Sequence, residues 1–257
     1  MEQKVTEKKL KFPTETVDLP SKGLVYPKNN ILSSGKVEMK YMTAKEEDIL
    51  TNSNYIQKGT VLDKLLESLI VSDINYNDLL EGDKNALLIG ARILGYGKDY
   101  KFTSFNPNTN EQEEYNVDLT TLKDKLLDIK DVKEEGLNEF DYTLPTSKTN
   151  ITFKLLTHLD NKSIEKEIEG LKKIKKDSLP LATTRLKYII TSIDGDREKK
   201  TIREFIDNYL LAKDARALRE EIRRISPDVE LKTYVDDVEE AITVPVDLTF
   251  FWPDARI

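Results

Sequence analysis

The sequence has no cysteine and a single histidine, His158, among its 257 residues. Without a thiol the chain can form no disulfide, no cysteine-ligated zinc or iron–sulfur site and no cysteine nucleophile. A single histidine also excludes metal motifs that need two histidines from one chain. Any histidine-dependent acid–base chemistry would have to use His158.

Long hydrophobic runs are also missing. The best run, residues 86–91, ends at Arg92, whereas a membrane-spanning helix needs about 20 apolar residues. The first residues, MEQKVTEKKLKF, lack the apolar stretch that follows the basic residues of a secretory signal. We therefore expect a soluble protein made in the cytosol, with no membrane partner.

The charge is high and its balance is acidic. The chain has 40 Lys and Arg against 47 Asp and Glu, a net charge of −7. Nonspecific nucleic-acid binding depends mainly on basic side chains that neutralise phosphates, so this balance argues against it. Hydrophobic residues make up 38 % of the chain and are clustered, which indicates that it can fold.

The first 40 residues are predicted as an extended N-terminal arm followed by a first strand. Pro13, Pro20 and Pro27, with Gly23 and Gly35, interrupt this segment too often for a helix. Residues 37–42 then alternate between apolar and polar side chains, which predicts a half-exposed strand.

Residues 41–139 are predicted as a helical half with one hairpin. Thr43 and Glu46 have the spacing of a capping box that starts a helix reaching about Leu50. Residues 60–71 form a second amphipathic helix, and Asp83 is expected to cap a third one that stops at Gly95 and Gly97. A hairpin is predicted near 100–119, and a short helix with a linker over 121–139.

Residues 140–257 are predicted as a second α+β half that ends in a hairpin. A hairpin over 140–156 is followed by helices over 163–176, 182–193 and 211–225, with a capping box at Thr201 and Glu204 starting another. Residues 229–253 are expected to form the closing hairpin. The predicted fold class is α+β, a helical body with β-hairpins and an extended arm. A weak repeat, residues 116–120 against 245–249, raises the hypothesis of two related halves.

Three groups of polar residues have a catalytic or binding interpretation. His158, with Asp160 to orient its ring, could serve an enzyme, although no recognisable nucleophile turn accompanies it. The acidic turns 194–196 and 236–237 lack the ligand spacing of a calcium loop. Residues 203–224 contain the densest cluster of arginines, so a nucleic-acid adaptor is a further alternative, but acidic residues are interspersed there.

The aromatic end of the chain favours protein association. Phe250, Phe251 and Trp252 are consecutive, so in a strand they would point to both faces. One core could not take all three, which predicts burial between two layers or against a partner.

Several segments resemble the baseplate hub and hub-assembly proteins of contractile-tailed bacteriophages. The resemblance spans nearly the whole chain from about residue 17. It is carried by residues 21–27 (SKGLVYP), 41–51 (YMTAKEEDILT), 58–66 (KGTVLDKLL), 91–97 (ARILGYG), 211–219 (LAKDARALR) and 250–253 (FFWP).

The resemblance implies a structural or assembly component of the phage tail that acts by protein–protein binding and not by catalysis. It implies other tail or baseplate proteins as partners, oligomeric assembly, and a location in the virion baseplate, in the host cytoplasm during assembly, or in both. Neither a cofactor nor a metal is implied. The residues expected to bind partners are Leu24, Tyr26, Pro27, Phe250, Phe251 and Trp252.

Overall fold

The computed structural model describes residues 13–174, 180–234 and 241–251. In chain order the helices are α1 (Ala44–Leu50), α2 (Ser53–Gln57), α3 (Val61–Leu69), α4 (Glu81–Tyr96), α5 (His158–Ile174), α6 (Leu181–Ile189), α7 (Lys199–Asn208) and α8 (Ala212–Ile225). The strands are β1 (Thr14–Asp18), β2 (Lys36–Lys40), β3 (Asp99–Phe105), β4 (Gln112–Asp118), β5 (Lys123–Lys125), β6 (Phe140–Thr143), β7 (Asn150–Phe153), β8 (Ile190–Ile193), β9 (Asp228–Glu230), β10 (Lys232–Thr233) and β11 (Ile242–Thr243).

The fold is α+β, as predicted, with several small antiparallel sheets around the helices. Strands β6, β7 and β8 form a three-stranded sheet, and the pairs β1–β2, β3–β4, β5–β9 and β10–β11 form two-stranded sheets. The predicted hairpins near 100–119 and over 140–156 correspond to β3–β4 and β6–β7 and are confirmed.

Helix α4 lies at the centre of the first half and is buried on more than one face. Its buried residues include Ala86, Leu87, Leu88 and Ile89, which cover a full turn. A Cβ at Gly82 would lie 1.8 Å from the carbonyl oxygen of Pro227, so only glycine lets the start of α4 meet the segment that leads into β9. The helix ends at Tyr96, followed by Gly97 with a φ of 85° as predicted, whereas Gly95 lies within the helix.

Asp83 does not cap α4, contrary to expectation. The helix already begins at Glu81, and the buried Asp83 carboxylate instead accepts hydrogen bonds from the Ser21 amide (2.9 Å) and the Tyr26 hydroxyl (2.5 Å). The Tyr26 oxygen in turn accepts from the Leu80 amide at 3.0 Å. Burial raises the pKa of Asp83 and of Tyr26. This network attaches the N-terminal segment to the start of α4.

The segment between β1 and β2 is a compact series of turns. Gly23 has a φ of 77°, and a Cβ there would lie 2.3 Å from the Ser33 carbonyl oxygen, so the turn requires glycine. Tyr26 is buried beneath it. Only residues from 13 onward are described, and over 13–40 the expected extended arm is a strand pair joined by these packed turns.

Glu46 forms the predicted capping contact and extends it into a buried network. Its carboxylate accepts from the Thr43 amide (3.0 Å) and hydroxyl (2.5 Å), from Lys40 Nζ (2.8 Å) and from the Ser68 hydroxyl (2.7 Å). Although burial raises the pKa of Glu46, these donors outweigh it and lower the pKa to about 2. The network connects β2, α1 and α3.

The helix predicted within 121–139 is wrong. The structure has β5 paired with β9 and a 3-10 turn over Ile129–Asp131. Asp118 and Asp128 each accept from the amide two residues later, at 3.0 Å. Such side-chain turns compete with helix formation, and the strand partner of β5 comes from more than 100 residues further along the chain.

Three expectations in the second half also need correction. The helix predicted over 182–193 ends at Ile189, and residues Ile190–Ile193 form β8 against β7. Helix α7 begins at Lys199 with Glu198 as its N-cap, so Thr201 does not begin a capping box. The closing hairpin is limited to β10 and β11, and Leu248–Phe251 form a 3-10 turn. Long-range pairing and local turn bonds override the local pattern in each case.

The weak repeat has a local structural counterpart. Asp118 accepts from the amide and hydroxyl of Thr120, and Asp247 makes the same two bonds to Thr249. The first segment overlaps the end of strand β4, whereas the second overlaps no described strand. Two related halves therefore stay a prediction, as do the domain boundaries.

Replacing Tyr26 by Phe tests the Asp83 network. The change leaves an Asp83 oxygen and the Leu80 amide without their partner in the interior, so we expect the free energy of unfolding to fall by about 1–3 kcal/mol. Denaturant unfolding measures this. Tyr41→Phe is the control, because among the described residues the Tyr41 hydroxyl bonds only to Glu15, at an exposed position and a distance of 3.3 Å. Equal, small effects of both variants would contradict a structural role for Tyr26.

Replacing Glu46 by Gln tests the capping network through pH. Because folding lowers the pKa of Glu46 from 4.5 to about 2, its contribution is complete above pH 4.5 and is lost as the pH falls toward 2. The variant should lose about 2 kcal/mol at neutral pH, and the difference from wild type should shrink on acidification. Asp48→Asn, at an exposed position on the same helix, is the control. A difference that stays constant from neutral to acid pH would contradict this assignment.

Candidate docking surfaces

The six residues predicted to bind partners lie in different environments. Tyr26, Phe250 and Phe251 are buried in the interior of the chain. Leu24 is half-buried and Pro27 is exposed. Trp252 lies outside the described residues. Of the described five, only Leu24 and Pro27 can contact a partner directly without rearrangement of the core.

Phe250 and Phe251 complete an aromatic core at the end of α4. They meet each other edge-to-face at 5.3 Å, and Phe250 meets Tyr100 of β3 at 4.7 Å. The expectation that consecutive aromatics point to opposite faces is wrong here, because residues 248–251 form a 3-10 turn and not a strand. Both rings are thereby directed into the same core.

Arg92 connects this aromatic core to the end of α4. Its guanidinium donates to the carbonyl oxygens of Gly97 (2.9 Å) and Asp99 (3.3 Å) and lies 6.0 Å from the centre of the Phe250 ring. Burial lowers the pKa of Arg92. The ARILGYG segment therefore fixes the turn from α4 into the β3–β4 hairpin.

Leu24 contributes to an exposed apolar surface that the sequence pattern does not predict. It lines a shallow groove of about 490 Å³ together with Leu126 and Ile129, whose side chains are 49 % and 53 % exposed. We call Leu24, Leu126 and Ile129 the N-terminal patch. The Leu127 amide donates to the Pro20 carbonyl (3.1 Å) and the Gly136 amide to the Leu24 carbonyl (2.8 Å), which hold the two segments together.

His158 packs against an aromatic ring and is not oriented by the carboxylate of Asp160. It is the first residue of α5 and not the end of a strand, and its ring meets Tyr76 edge-to-face at 4.8 Å. Asp160, expected to orient it, instead accepts from Lys154 Nζ at 2.8 Å and from Thr157. A carboxylate oxygen of Asp63 lies 4.0 Å from Nδ1 of His158. Burial lowers the pKa of His158, an effect that outweighs the nearby Asp63.

The arginines of residues 203–224 are partly neutralised. Arg203 pairs with Glu167, Arg216 with Glu220, and Arg224 with both Asp131 and Glu221. Arg219 and Arg223 line a groove of about 430 Å³ with Arg185 of α6. Within the described ranges these last three have no ion-pair partner. Arg185, Arg219 and Arg223 thus share one groove, whose lining also includes the acidic residues Glu81 and Asp228.

The acidic turn over 194–196 directs its oxygens to the backbone. Asp194 accepts from the Asn150 amide (2.9 Å) and Asp196 from the Glu198 amide (2.8 Å). Residues 236 and 237 lie outside the described ranges. In the part of the chain that the structure describes, no cluster of three His, Asp or Glu side chains is suited to hold a metal ion. The helices described there include none that is long and apolar enough to cross a membrane.

These features define an α+β protein in which the distinctive sequence segments build the core and apolar residues of other segments lie at the surface. The model of the T4 bacteriophage base plate protein family matches residues 14–249. The chain belongs to this family and is a structural component of the phage baseplate that interacts with other tail proteins. No curated protein and no solved structure showed significant similarity to the chain.

Replacing Phe250 by Ala separates a core role from a contact role. Because the side chain is fully buried, the variant should lose about 3–5 kcal/mol of unfolding free energy. Phe105→Ala is the matched control, since this ring is 58 % exposed on β3 and its loss should change stability by about 0.5 kcal/mol or less. Thermal or denaturant unfolding measures the stability of both variants. An unchanged stability for Phe250→Ala would contradict the role of this ring in the aromatic core.

Proposed function

We propose that this baseplate protein is a component of the hub of a contractile tail, or a factor in hub assembly, and that it acts by protein binding without catalysis. The proposal is supported by family membership over residues 14–249 and by the N-terminal patch. The patch includes Leu24, which belongs to one of the segments that resemble hub proteins.

The N-terminal patch has the composition of a docking surface. Leu126 and Ile129 are about half exposed, so covering each by a partner contributes about 1 kcal/mol from apolar burial. Lys22 and Asp128 line the same groove and provide the polar rim that surrounds the apolar centre of an interface.

The patch is also held in a defined position. Residues 20–27 are tied to α4 through Asp83 and to the segment carrying Leu126 through the Leu127 amide. A partner that docks there would find its contact residues already ordered, which lowers the entropy cost of binding. The proposed occupant is another tail protein of the baseplate, with Pro27 at the edge of the contact.

The protein would act in the virion baseplate, in the host cytoplasm during assembly, or in both, and within an oligomeric assembly. We expect no nucleic acid among its partners, because the net charge is −7 and Arg203, Arg216 and Arg224 are engaged with carboxylates.

The double variant Leu126→Asp/Ile129→Asp tests the patch. Two charges in the apolar centre should reduce co-purification with the tail proteins several-fold, because a buried unpaired carboxylate opposes the contact. Affinity capture from cells that produce all tail proteins, quantified by mass spectrometry, measures the effect.

The control is Leu159→Asp/Leu211→Asp, which changes leucines that are 52 % and 47 % exposed outside the patch. It should leave co-purification unchanged, and both double variants should unfold as wild type does. Equal capture by the two variants would overturn the docking role of the N-terminal patch.

A further inference from the structure

Another groove runs over helix α4 beside strand β1. It has a volume of about 300 Å³ and an apolar floor from α4, which includes Ile89, Ile93 and Leu94. Its lining also includes the consecutive residues 15–18 of β1 and Asp124 of β5. Consecutive residues of a strand alternate between its faces, so the backbone edge of β1 borders this groove.

In the described part of the chain, the main-chain groups of β1 that face away from β2 have no backbone partner. The Tyr41 amide donates to the Pro13 carbonyl and the Leu19 amide to the Gly35 carbonyl, so the odd-numbered residues of β1 bond to β2. The amides and carbonyls of Thr14, Thr16 and Asp18 therefore point to the opposite edge. Among the described strands, β1 pairs with β2 alone and β5 with β9 alone. An edge of this kind accepts an added strand.

Gly90 fixes β1 at the margin of this floor. A Cβ at Gly90 would lie 2.8 Å from Val17 Cγ2, so the strand lies directly on the helix. The groove beside it is also acidic, with Glu15, Asp18 and Asp124 in its lining. Loss of hydration and the charge of Asp18 raise the pKa of Asp124. The groove thus favours an extended segment that combines apolar and basic side chains.

Residues 1–12 of the chain have this composition. They precede β1, lie outside the described residues and contain four lysines and two glutamates. Lys9, Leu10, Lys11 and Phe12 alternate between basic and apolar, the pattern of a strand with one face on an apolar floor and the other in solvent. The apolar face would meet α4, and the lysines would lie near the acidic rim.

The residues before β1 favour pairing of β1 with residues 1–12 of another copy over pairing with residues 1–12 of the same chain. To fold back onto its own β1, the chain would need a hairpin turn at about residues 11–13. Lys11, Phe12 and Pro13 provide no Gly, Asn or Asp for the positive φ values of tight hairpin turns. Pro13 also already continues the ladder with β2 through its carbonyl.

We propose that residues 1–12 of a second copy of this chain add as a strand to the free edge of β1, over the α4 floor. This exchange links copies through main-chain hydrogen bonds and suits closed symmetric assembly. The strand exchange would be the contact between copies in the oligomeric assembly proposed above, and it does not involve the N-terminal patch.

The absence of cysteine allows a direct test by disulfide trapping. Lys9→Cys or Lys11→Cys is introduced into one preparation and Thr16→Cys into another that carries a size tag, and the two are mixed and oxidised. Directly opposed residues of an added antiparallel strand are about 4.5–5.5 Å apart at Cα, within the range that a disulfide tolerates. Thr103→Cys, at an exposed position of β3, replaces Thr16→Cys as the matched control.

We expect a disulfide dimer of one tagged and one untagged chain with Thr16→Cys, at a yield several-fold above that of the Thr103→Cys control. The yield should be lower when Glu15→Lys/Asp18→Lys is also present. Deletion of residues 1–12 should lower the oligomeric state in light scattering. Heterodimer yields equal to the control for both lysine positions would overturn the exchange. A disulfide that forms only within one chain of the double variant Lys9→Cys/Thr16→Cys would overturn it as well. Loss of tail-protein capture by the patch variants concerns the N-terminal patch alone and leaves the strand exchange unaffected.

Discussion

The buried carboxylate of Asp83 is the interaction on which the first half of the structure depends. A carboxylate in the interior is costly unless its oxygens are satisfied, and here the donors come from Ser21 and Tyr26, some 60 residues earlier. Helix α4 can therefore keep Asp83 buried only when the N-terminal turns are in place. The adjacent Gly82 brings the Pro227 segment against the same turn of the helix. The start of α4 thus joins three distant parts of the chain.

The sequence predicts the parts of this fold that depend on nearby residues. Amphipathic spacing indicates α3 and α8, and turn residues indicate the β3–β4 and β6–β7 hairpins. It does not predict β5 or β8, because their strand partners are selected by tertiary packing. The same limit applies to Asp83, since a carboxylate in the first turn of a helix has the same sequence signature whether it caps that helix or binds another segment.

The candidate sites were harder to predict than the fold. Tyr26, Phe250 and Phe251 belong to distinctive segments, but the structure uses them to fill the core. Leu126 and Ile129 fit an amphipathic helix by spacing, and only the Asx turns at Asp118 and Asp128 place them in an irregular segment beside Leu24. Exposure is decided by which segments pack together, and no single-sequence pattern contains that information. The resemblance predicts Leu24 as a contact residue, and only the structure places Leu126 and Ile129 beside it.

The two proposed contacts act on one rigid element. Residues 13–27 carry the β1 edge and, a few residues later, the turn with Leu24, and both parts are fixed to α4, by Val17 against Gly90 and by Tyr26 on Asp83. A partner on the patch and a strand in the groove would therefore bind without competing for residues, since the linings of the two grooves share none. A change that loosens this element, such as a larger residue at Gly90, would weaken the groove directly and the patch through residues 19–23. A loss of both contacts would accordingly indicate damage to the element, whereas loss of one alone assigns the effect to its own surface.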